Sequence, residues 1–409
     1  MPTPSTDLVP AIERTTLREG IAAAEPAFLA DLERLVNLDC GSYTRDGVNE
    51  VATWVTAFLE RLGGEVVRHA DPDGILGDTV EAVFRGAPGG PRALLIGHLD
   101  TVFPVGTVAE RRFRVDDGIA RGPGVTDMKS GLLTLLYGLE AALAAGPLPF
   151  EHLTVIANPD EEIGSPASTP HIERVARASD VAFSLECARA NGDIVSSRKG
   201  TGDYVVTVRG RAAHAGVEPE KGRSAILAAA HLAIGLHGLT GRWPGVTCNV
   251  GVIESGTRPN VVAERAVLQV DLRAVDRASM EAADAAIRAL AAAPAVPDVS
   301  IEVELRHRHW PMEKLERSRR LVALAQGLAA DLGFDVRDAA TGGASDANTT
   351  AGLGVASLDG LGPIGGLDHS PEEWLDVSSI VPRTTLFAAL LLATGRDPEV
   401  RSWRTSAAG

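Results

Sequence analysis

Cysteine is scarce in this 409-residue chain: Cys40, Cys187 and Cys248 are the only three, widely spaced and without a C-x-x-C pair. That excludes a disulfide framework and a zinc ribbon. An excess of basic charge is missing too. Against 54 Asp and Glu there are 39 Lys and Arg, a formal net charge of −15, so the basic footprint that nucleic acid or an anionic membrane requires is absent. No unbroken apolar run reaches the roughly 18 residues of a membrane span. The opening Met1-Pro2-Thr3-Pro4-Ser5-Thr6 has neither a basic n-region nor an apolar h-region. The expectation is a soluble, cytoplasmic protein that binds neither nucleic acid nor membrane. An anionic substrate would need local help from metal ions or placed arginines.

What is present is ordered in two styles. The length exceeds what one core usually supports, so two domains are expected. From about Ile12 to Ser196, helical stretches (Ala23 to Leu38, Val48 to Leu62) alternate with short apolar runs that lack strict alternation. Such runs read as strands buried on both faces of a mostly parallel sheet covered by helices, an α/β catalytic domain. A different order follows: a strand at Asp203 to Arg209, a helix at Ser224 to Leu239, strands at Val246 to Ile253 and Ala266 to Arg273, a helix at Ser279 to Ala292, and a strand at Val299 to Leu305. This β-α-β-β-α-β order predicts an inserted ferredoxin-like α+β domain. The expected boundaries are 1–198 and 310–409 for the catalytic domain and 199–309 for the insert. The helix Ser318 to Leu332, the apolar Leu353 to Leu358 and a final helix from Ser378 to Ala393 complete the first domain.

Charged residues stand where the buried runs stop. Ala93-Leu94-Leu95-Ile96 leads to His98 and Asp100, Leu153 to Ala157 leads to Asp160-Glu161-Glu162, and Val181 to Leu185 leads to Glu186. Asp127 precedes a helical stretch from Met128 to Ala145, and His369 lies far downstream. In such sheets ligands bind beyond the carboxyl ends of the strands. Two imidazoles and four carboxylates gathered there are the parts of a two-metal hydrolase, five as ligands and one as base. His98 and Asp100, two apart on a strand, would share a face, so the carboxylate can fix the imidazole tautomer. Each residue alone has a plainer reading: Asp127 as a helix N-cap, Glu161-Glu162 as a solvated loop end, Glu186 and His369 as surface residues.

Five motifs then fall in a fixed order: Gly97-His98-Leu99-Asp100-Thr101-Val102; Arg121-Gly122-Pro123-Gly124-Val125-Thr126-Asp127-Met128-Lys129-Ser130-Gly131; Asn158-Pro159-Asp160-Glu161-Glu162-Ile163-Gly164-Ser165; Gly210-Arg211-Ala212-Ala213-His214-Ala215-Gly216; and Gly342-Gly343-Ala344-Ser345-Asp346-Ala347-Asn348. With Glu186 and His369 they make the chain resemble, over nearly its whole length, the di-zinc metallopeptidase family of carboxypeptidase G, aminoacylase, acetylornithine deacetylase and succinyl-diaminopimelate desuccinylase. The resemblance implies two Zn2+ per subunit, with Co2+ or Mn2+ as possible substitutes. His98 and Glu186 would hold one ion, Glu162 and His369 the other, and Asp127 would bridge them. Asp100 would orient His98, and Glu161 would serve the attacking water and the leaving amine as base and acid.

The same resemblance makes the insert a lid and dimerisation domain, so a homodimer is expected. His214 would stabilise the oxyanion, in relatives often from the partner subunit. Asn260, Arg273 and Arg308, with Arg306 as the alternative to Arg308, would hold a substrate carboxylate. The implied activity is zinc-dependent release of a C-terminal, glutamate-type amino acid from a peptidyl or N-acyl group. The alternatives are an N-acyl-amino-acid deacylase or dipeptidase on the same metal core, or a metal-binding protein without catalysis. Cys187, beside Glu186, has no histidine placed to activate it as a nucleophile.

Overall fold

A computed structural model describes residues 8–406 of the chain, with side chains to residue 403. It separates into two compact units: one holds the chain up to Ser196, Lys314–Ala340 and everything from Ser345 on; the other holds Ser197–Glu313 with Thr341–Ala344.

The first unit contains helices α1 (Ala11–Val36) and α2 (Arg45–Arg61), strands β1 (Glu65–His69), β2 (Thr79–Arg85) and β3 (Arg92–His98), helix α3 (Ser130–Ala144), strand β4 (His152–Asn158), helix α4 (Thr169–Ala176) and strand β5 (Val181–Ser184). Its six-stranded sheet runs β1-β2-β4-β3-β5 and ends on the later strand Ala356–Leu358. β4, β3, β5 and that last strand pair in parallel, while β1 and β2 form an antiparallel edge. One face of the sheet packs Leu95, Val155 and Phe183 against α1, α3 and the last long helix, and the other packs Leu94, Ile96 and Ile156 against Ile172 and Val175 of α4. Burial on both faces is why these strands read as unbroken apolar runs.

Two helical expectations are corrected. α1 begins twelve residues before Ala23, at Ala11, and carries Pro26 inside it; the buried series Leu17, Ile21, Phe28, Leu32 and Leu35 keeps one stripe in the core across the proline, so packing outweighs the lost hydrogen bond. The C-terminal helix runs Ile380–Arg396, and the stretch Val377–Arg396 is by composition long and apolar enough to cross a membrane. It holds no unbroken apolar run of that length, because Ser378, Ser379, Arg383, Thr384 and Thr385 interrupt it. Every residue from Arg383 to Gly395 is buried in this core.

The second unit holds β6 (Gly200–Arg209), α5 (Ala225–His237), β7 (Thr247–Ser255), β8 (Arg265–Ala274), α6 (Arg277–Ala292) and β9 (Ser300–His309). The sheet order is β7-β8-β6-β9, all antiparallel, which is the ferredoxin-like arrangement. Both helices carry side-chain caps, Ser224 accepting from the Leu227 N–H and Asp276 from the Ser279 N–H. They cover Tyr204, Val206, Val208, Leu268 and Val270, leaving Asp203, Val205, Gln269, Asp271 and Arg273 on the opposite face.

Candidate metal centre

The carboxyl ends of β3, β4 and β5 are in register, with His98 opposite Asn158 and Ile96 opposite Ser184. The residues that follow these strands therefore converge. His98 is almost wholly buried, at 1% exposure. Its Nδ1 lies 3.1 Å from the Asp100 main-chain oxygen and 3.3 Å from Asp100 Oδ1. This leaves Nε2 facing 3.1 Å toward Asp127 Oδ1 and 3.8 Å toward Glu186 Oε1. On the other side His369 Nε2 stands 3.1 Å from Asp127 Oδ2 and 3.0 Å from Glu162 Oε2. The two oxygens of Asp127 are thus divided between two imidazoles, each of which has a glutamate of its own.

The electrostatics follow from crowding carboxylates in a buried place. Burial pushes the Glu161 carboxyl well above its ordinary range; His98 opposes this, and the charges of Glu186, Asp346 and Glu162 add to it. Burial also raises Glu162, against its hydrogen bond with His369. Burial works against charge on His98, yet Asp100, Asp127 and Glu186 still hold it well above the usual imidazole value. His369 is pushed up to about 11 by its hydrogen bonds to Asp127 and Glu162. Asp127 is depressed, because the bonds from His369 and His98 overcome its burial. Such a donor set calls for positive charge, and Glu162 Oε1 is buried with no hydrogen-bond partner, the state of an oxygen meant for a cation. His98, Asp127 and Glu162 also offer one donor atom each within 4.8 Å of one another. The residues present fit divalent metal.

Asp100 does more than orient His98. Its carboxylate accepts from Ser42 Oγ at 2.6 Å and from the backbone N–H groups of Glu161 and Glu162, both at 3.2 Å. One buried side chain therefore fixes an imidazole and the loop that carries two glutamates. Asp160 secures the same loop by accepting from Ala167 N at 2.6 Å and Ser168 Oγ at 2.5 Å.

Asp127 is not an N-cap. It lies in a non-helical stretch, φ −114° and ψ 96°, before α3 begins at Ser130, and the Asp127–Met128 peptide is cis. Gly131 in the first turn of α3 is dictated by contact: a Cβ there would meet the Leu185 carbonyl oxygen at 1.8 Å, so only glycine lets α3 reach the strand end that bears Glu186. His369 and Leu367 have φ of +61° and +58°, a backbone conformation that costs non-glycine residues on the order of 1 kcal/mol and persists where a site requires it.

Three residues of the centre escape sequence reasoning. Glu373, deeply buried, accepts from the N–H groups of Thr126 at 2.8 Å, Asp127 at 3.1 Å and Gly124 at 2.9 Å; burial raises it to about 7 against these bonds. Asp346 accepts from Ser165 Oγ at 2.6 Å and Asn158 Nδ2 at 2.8 Å, bracing the start of the Glu161 loop. Arg383 donates to the carbonyls of Gly192, Gly360 and Gly362 at 2.9, 2.7 and 3.0 Å, and the Gly362 N–H holds the Glu186 carbonyl at 2.9 Å. Asp346 had a signal, its place in the Gly342 to Asn348 motif. Glu373 and Arg383 carry no such signal: one is the second of two adjacent acids and the other a lone cation inside a helical stretch. Cys187 is buried and its thiol is pushed far up by that burial, which suits a structural thiol.

The four residues expected from the insert lie in the second unit. His214 and Asn260 are exposed and occupy neighbouring loops, joined by a bridge between His214 and Val261 and by the Ala215 N–H to the Asn260 carbonyl at 3.0 Å. Arg273 chelates Asp271, its Nε 2.9 Å from Oδ2 and 3.1 Å from Oδ1. Arg308 points to the helical side, 3.6 Å from Asp284 and 4.7 Å from the centre of the Trp310 ring.

Residues 94–393 match the model of peptidase family M20/M25/M40. The chain is 29% identical over 377 residues to carboxypeptidase G2 of Pseudomonas sp. (strain RS-16), covering 91% of this chain and 90% of that protein. It is 26% identical over 365 residues to a succinyl-diaminopimelate desuccinylase of Leptothrix cholodnii, covering 83% and 92%. Among solved structures, aminopeptidase PepT of Bacillus cereus ATCC 10987 superposes with a TM-score of 0.74 at 22% identity, over 90% of this chain and 98% of that one.

Proposed function

Because this chain belongs to peptidase family M20/M25/M40, and is therefore a hydrolase of the peptidase type, we propose that it is a two-zinc carboxypeptidase that releases a C-terminal, glutamate-type amino acid from a peptidyl or N-acyl group. The division of the Asp127 oxygens between two imidazole and glutamate pairs is the observation that carries this reading. His98 and Glu186 would hold one ion and Glu162 and His369 the other, with Asp127 shared. Zinc there would supply Lewis-acid activation of water and of the scissile carbonyl. Glu161 is the base: Glu162 and Glu186 are directed at the imidazoles, and the raised proton affinity of Glu161 suits a group that takes a proton and returns it to the leaving amine. Asp100 keeps His98 in the tautomer that offers Nε2.

The second unit supports a shared site. Arg273 pairs with Thr201 at the end of the sheet where the chain enters and leaves the unit, whereas the loops of His214 and Asn260 follow the opposite end, beyond the Arg265–Arg209 pair. The two ends are about 27 Å apart at about 3.4 Å per residue. A dipeptide spans only about 7 Å, so one copy of the unit does not bring all these groups to one substrate. A homodimer in which the insert acts as lid, with His214 and Asn260 serving the partner's substrate and Arg273 its own, resolves this. Arg273 is taken as the carboxylate anchor because it stands on the open face of the sheet, where a substrate carboxylate could displace Asp271, whereas Arg308 is turned to the helical side toward Asp284 and Trp310. The neighbouring chemistry, N-acyl-amino-acid deacylase or dipeptidase, uses the same centre.

The test is a hydrolysis screen of N-acyl amino acids and dipeptides, read by released amine, on chelated protein and after adding zinc, cobalt or manganese. Chelation should abolish turnover and metal should restore it, with N-acyl and peptidyl glutamates ahead of amides lacking a free carboxylate. Full activity in the metal-free protein would overturn the two-metal reading.

A further inference from the structure

A second cluster of metal-type donors lies at the antiparallel edge of the first unit's sheet. His69 ends β1 opposite Thr79, and Glu81 on β2 is opposite Val67, so His69 and Glu81 are diagonal neighbours on one face. Glu81 is also opposite Ile156 of β4, which places it on the face that α4 covers through Ile172 and Val175. α4 sets His171 against this pair. His69 Nε2 stands 2.9 Å from Glu81 Oε2, and the His69 and His171 rings stack with centroids 4.2 Å apart. One donor atom from each of the three residues lies within 4.8 Å of the other two.

We propose that His69, Glu81 and His171 form a binding site for one divalent transition-metal ion, separate from the centre built on Asp127. Two imidazoles and one carboxylate are a donor set that takes zinc, nickel or copper in preference to magnesium or calcium. Donors on one zinc ion lie up to about 4 Å apart, so the cluster needs to close by under about 1 Å. Glu81 is buried at 9% exposure, whereas His69 and His171 are only partly buried, so the two imidazoles have the room to make that movement.

The cluster already attracts a cation. Arg174 pairs with the same Glu81 oxygen that faces His69, and its side chain is 56% exposed. It can turn out into solvent when an ion arrives, and in doing so it competes with that ion. The site also has a structural consequence. α4 follows directly on the Asp160–Ser168 loop, joined by the Thr169 N–H to the Ser165 carbonyl at 2.9 Å. A metal tying α4 to β1 and β2 would pin the far side of the loop that carries Glu161 and Glu162.

The test uses the full chain, stripped by chelator and dialysed against Zn2+ or Cu2+, with metal per chain measured and the copper spectrum recorded by electron paramagnetic resonance. Parent, Asp127→Ala, and Asp127→Ala combined with His171→Ala or Arg174→Gln are compared. In the Asp127→Ala background one ion should remain bound, with a copper signal split by two nitrogens, and zinc should raise the melting temperature. His171→Ala should abolish that ion, its nitrogen splitting and the zinc-induced rise, while leaving the metal-free melting temperature near that of its background. Arg174→Gln should tighten binding about fivefold, the size of a partly exposed ion pair. The same bound metal and spectrum with and without His171, or a folded Asp127→Ala chain that holds no ion, would overturn the proposal. The proposed catalytic centre fails on a different result, an Asp127→Ala chain that holds as much metal as the parent.

Discussion

Asp100→Asn replaces one oxygen by NH2 and removes one charge without changing shape, in a position where the structure leaves no room for a second donor. The carboxylate receives Ser42 Oγ and the N–H groups of Glu161 and Glu162, and it faces His98 Nδ1. If the new NH2 takes the Oδ1 position it confronts the Glu161 N–H and the imidazole; if it takes the Oδ2 position it confronts the Glu162 N–H, although Ser42 can turn to accept. Either way one backbone N–H loses its acceptor in a buried place, a cost of about 1–3 kcal/mol. His98 is no longer held by a carboxylate, and losing such a partner behind a metal-ligating histidine typically weakens metal binding by about 10- to 100-fold. The assay pairs denaturant unfolding of the chelated protein with a zinc titration against a competing chelator. A stability loss of the stated size together with weaker binding is expected. Parental zinc affinity in a folded Asp100→Asn protein would refute the claim that Asp100 fixes the imidazole.

Much of this was legible because the sheet writes its own punctuation. Buried parallel strands appear as apolar runs, and in such a sheet the residue after each run lands at the ligand-binding edge, so His98, Glu161, Glu162 and Glu186 could be gathered without coordinates. The ferredoxin-like order was legible for a related reason, since its strands alternate where one face is open. Asp127 was harder: an aspartate before a helix is usually a cap, and it was the resemblance, not the local pattern, that assigned its carboxylate to the metals, which its distances to His98 and His369 agree with. Glu373 and Arg383 could not be read, because their burial comes from long-range packing. The same two side chains on a surface would give the same local sequence. The arginines of the insert were undecided for a geometric reason: the register shift between Leu305 and His307 sends Arg308 toward α6, and a bulge leaves little trace in sequence.

Glu161→Gln should lower kcat by about 10² or more while metal content stays near that of the parent, whereas Glu162→Gln, which alters an oxygen aimed at His369, should lose metal and activity together. Loss of metal with Glu161→Gln would make that residue a ligand. Arg383→Met should destabilise the fold by several kcal/mol, on the order of 3, since three buried carbonyls lose their donors; a denaturant midpoint equal to the parent's would show that water replaces the guanidinium. Arg273→Ala should raise KM for carboxylate-bearing substrates with a smaller effect on kcat, and an unchanged KM would move the anchor to Arg306 or Arg308. The last prediction concerns the two ends of the insert's sheet. If His214 serves the partner's substrate, a chain carrying His214→Ala and a chain carrying Glu161→Gln, each nearly inactive, should rescue one another once their subunits exchange. The mixed dimer rebuilds one intact site from the Glu161 of the first chain and the His214 of the second, while its other site is doubly defective. Random exchange makes about half of the dimers mixed, so about a quarter of parental activity should return. A mixture that stays at background after exchange has been verified by mass would place His214 in its own chain's site, and the separation of Arg273 from His214 would then have to be closed within one copy.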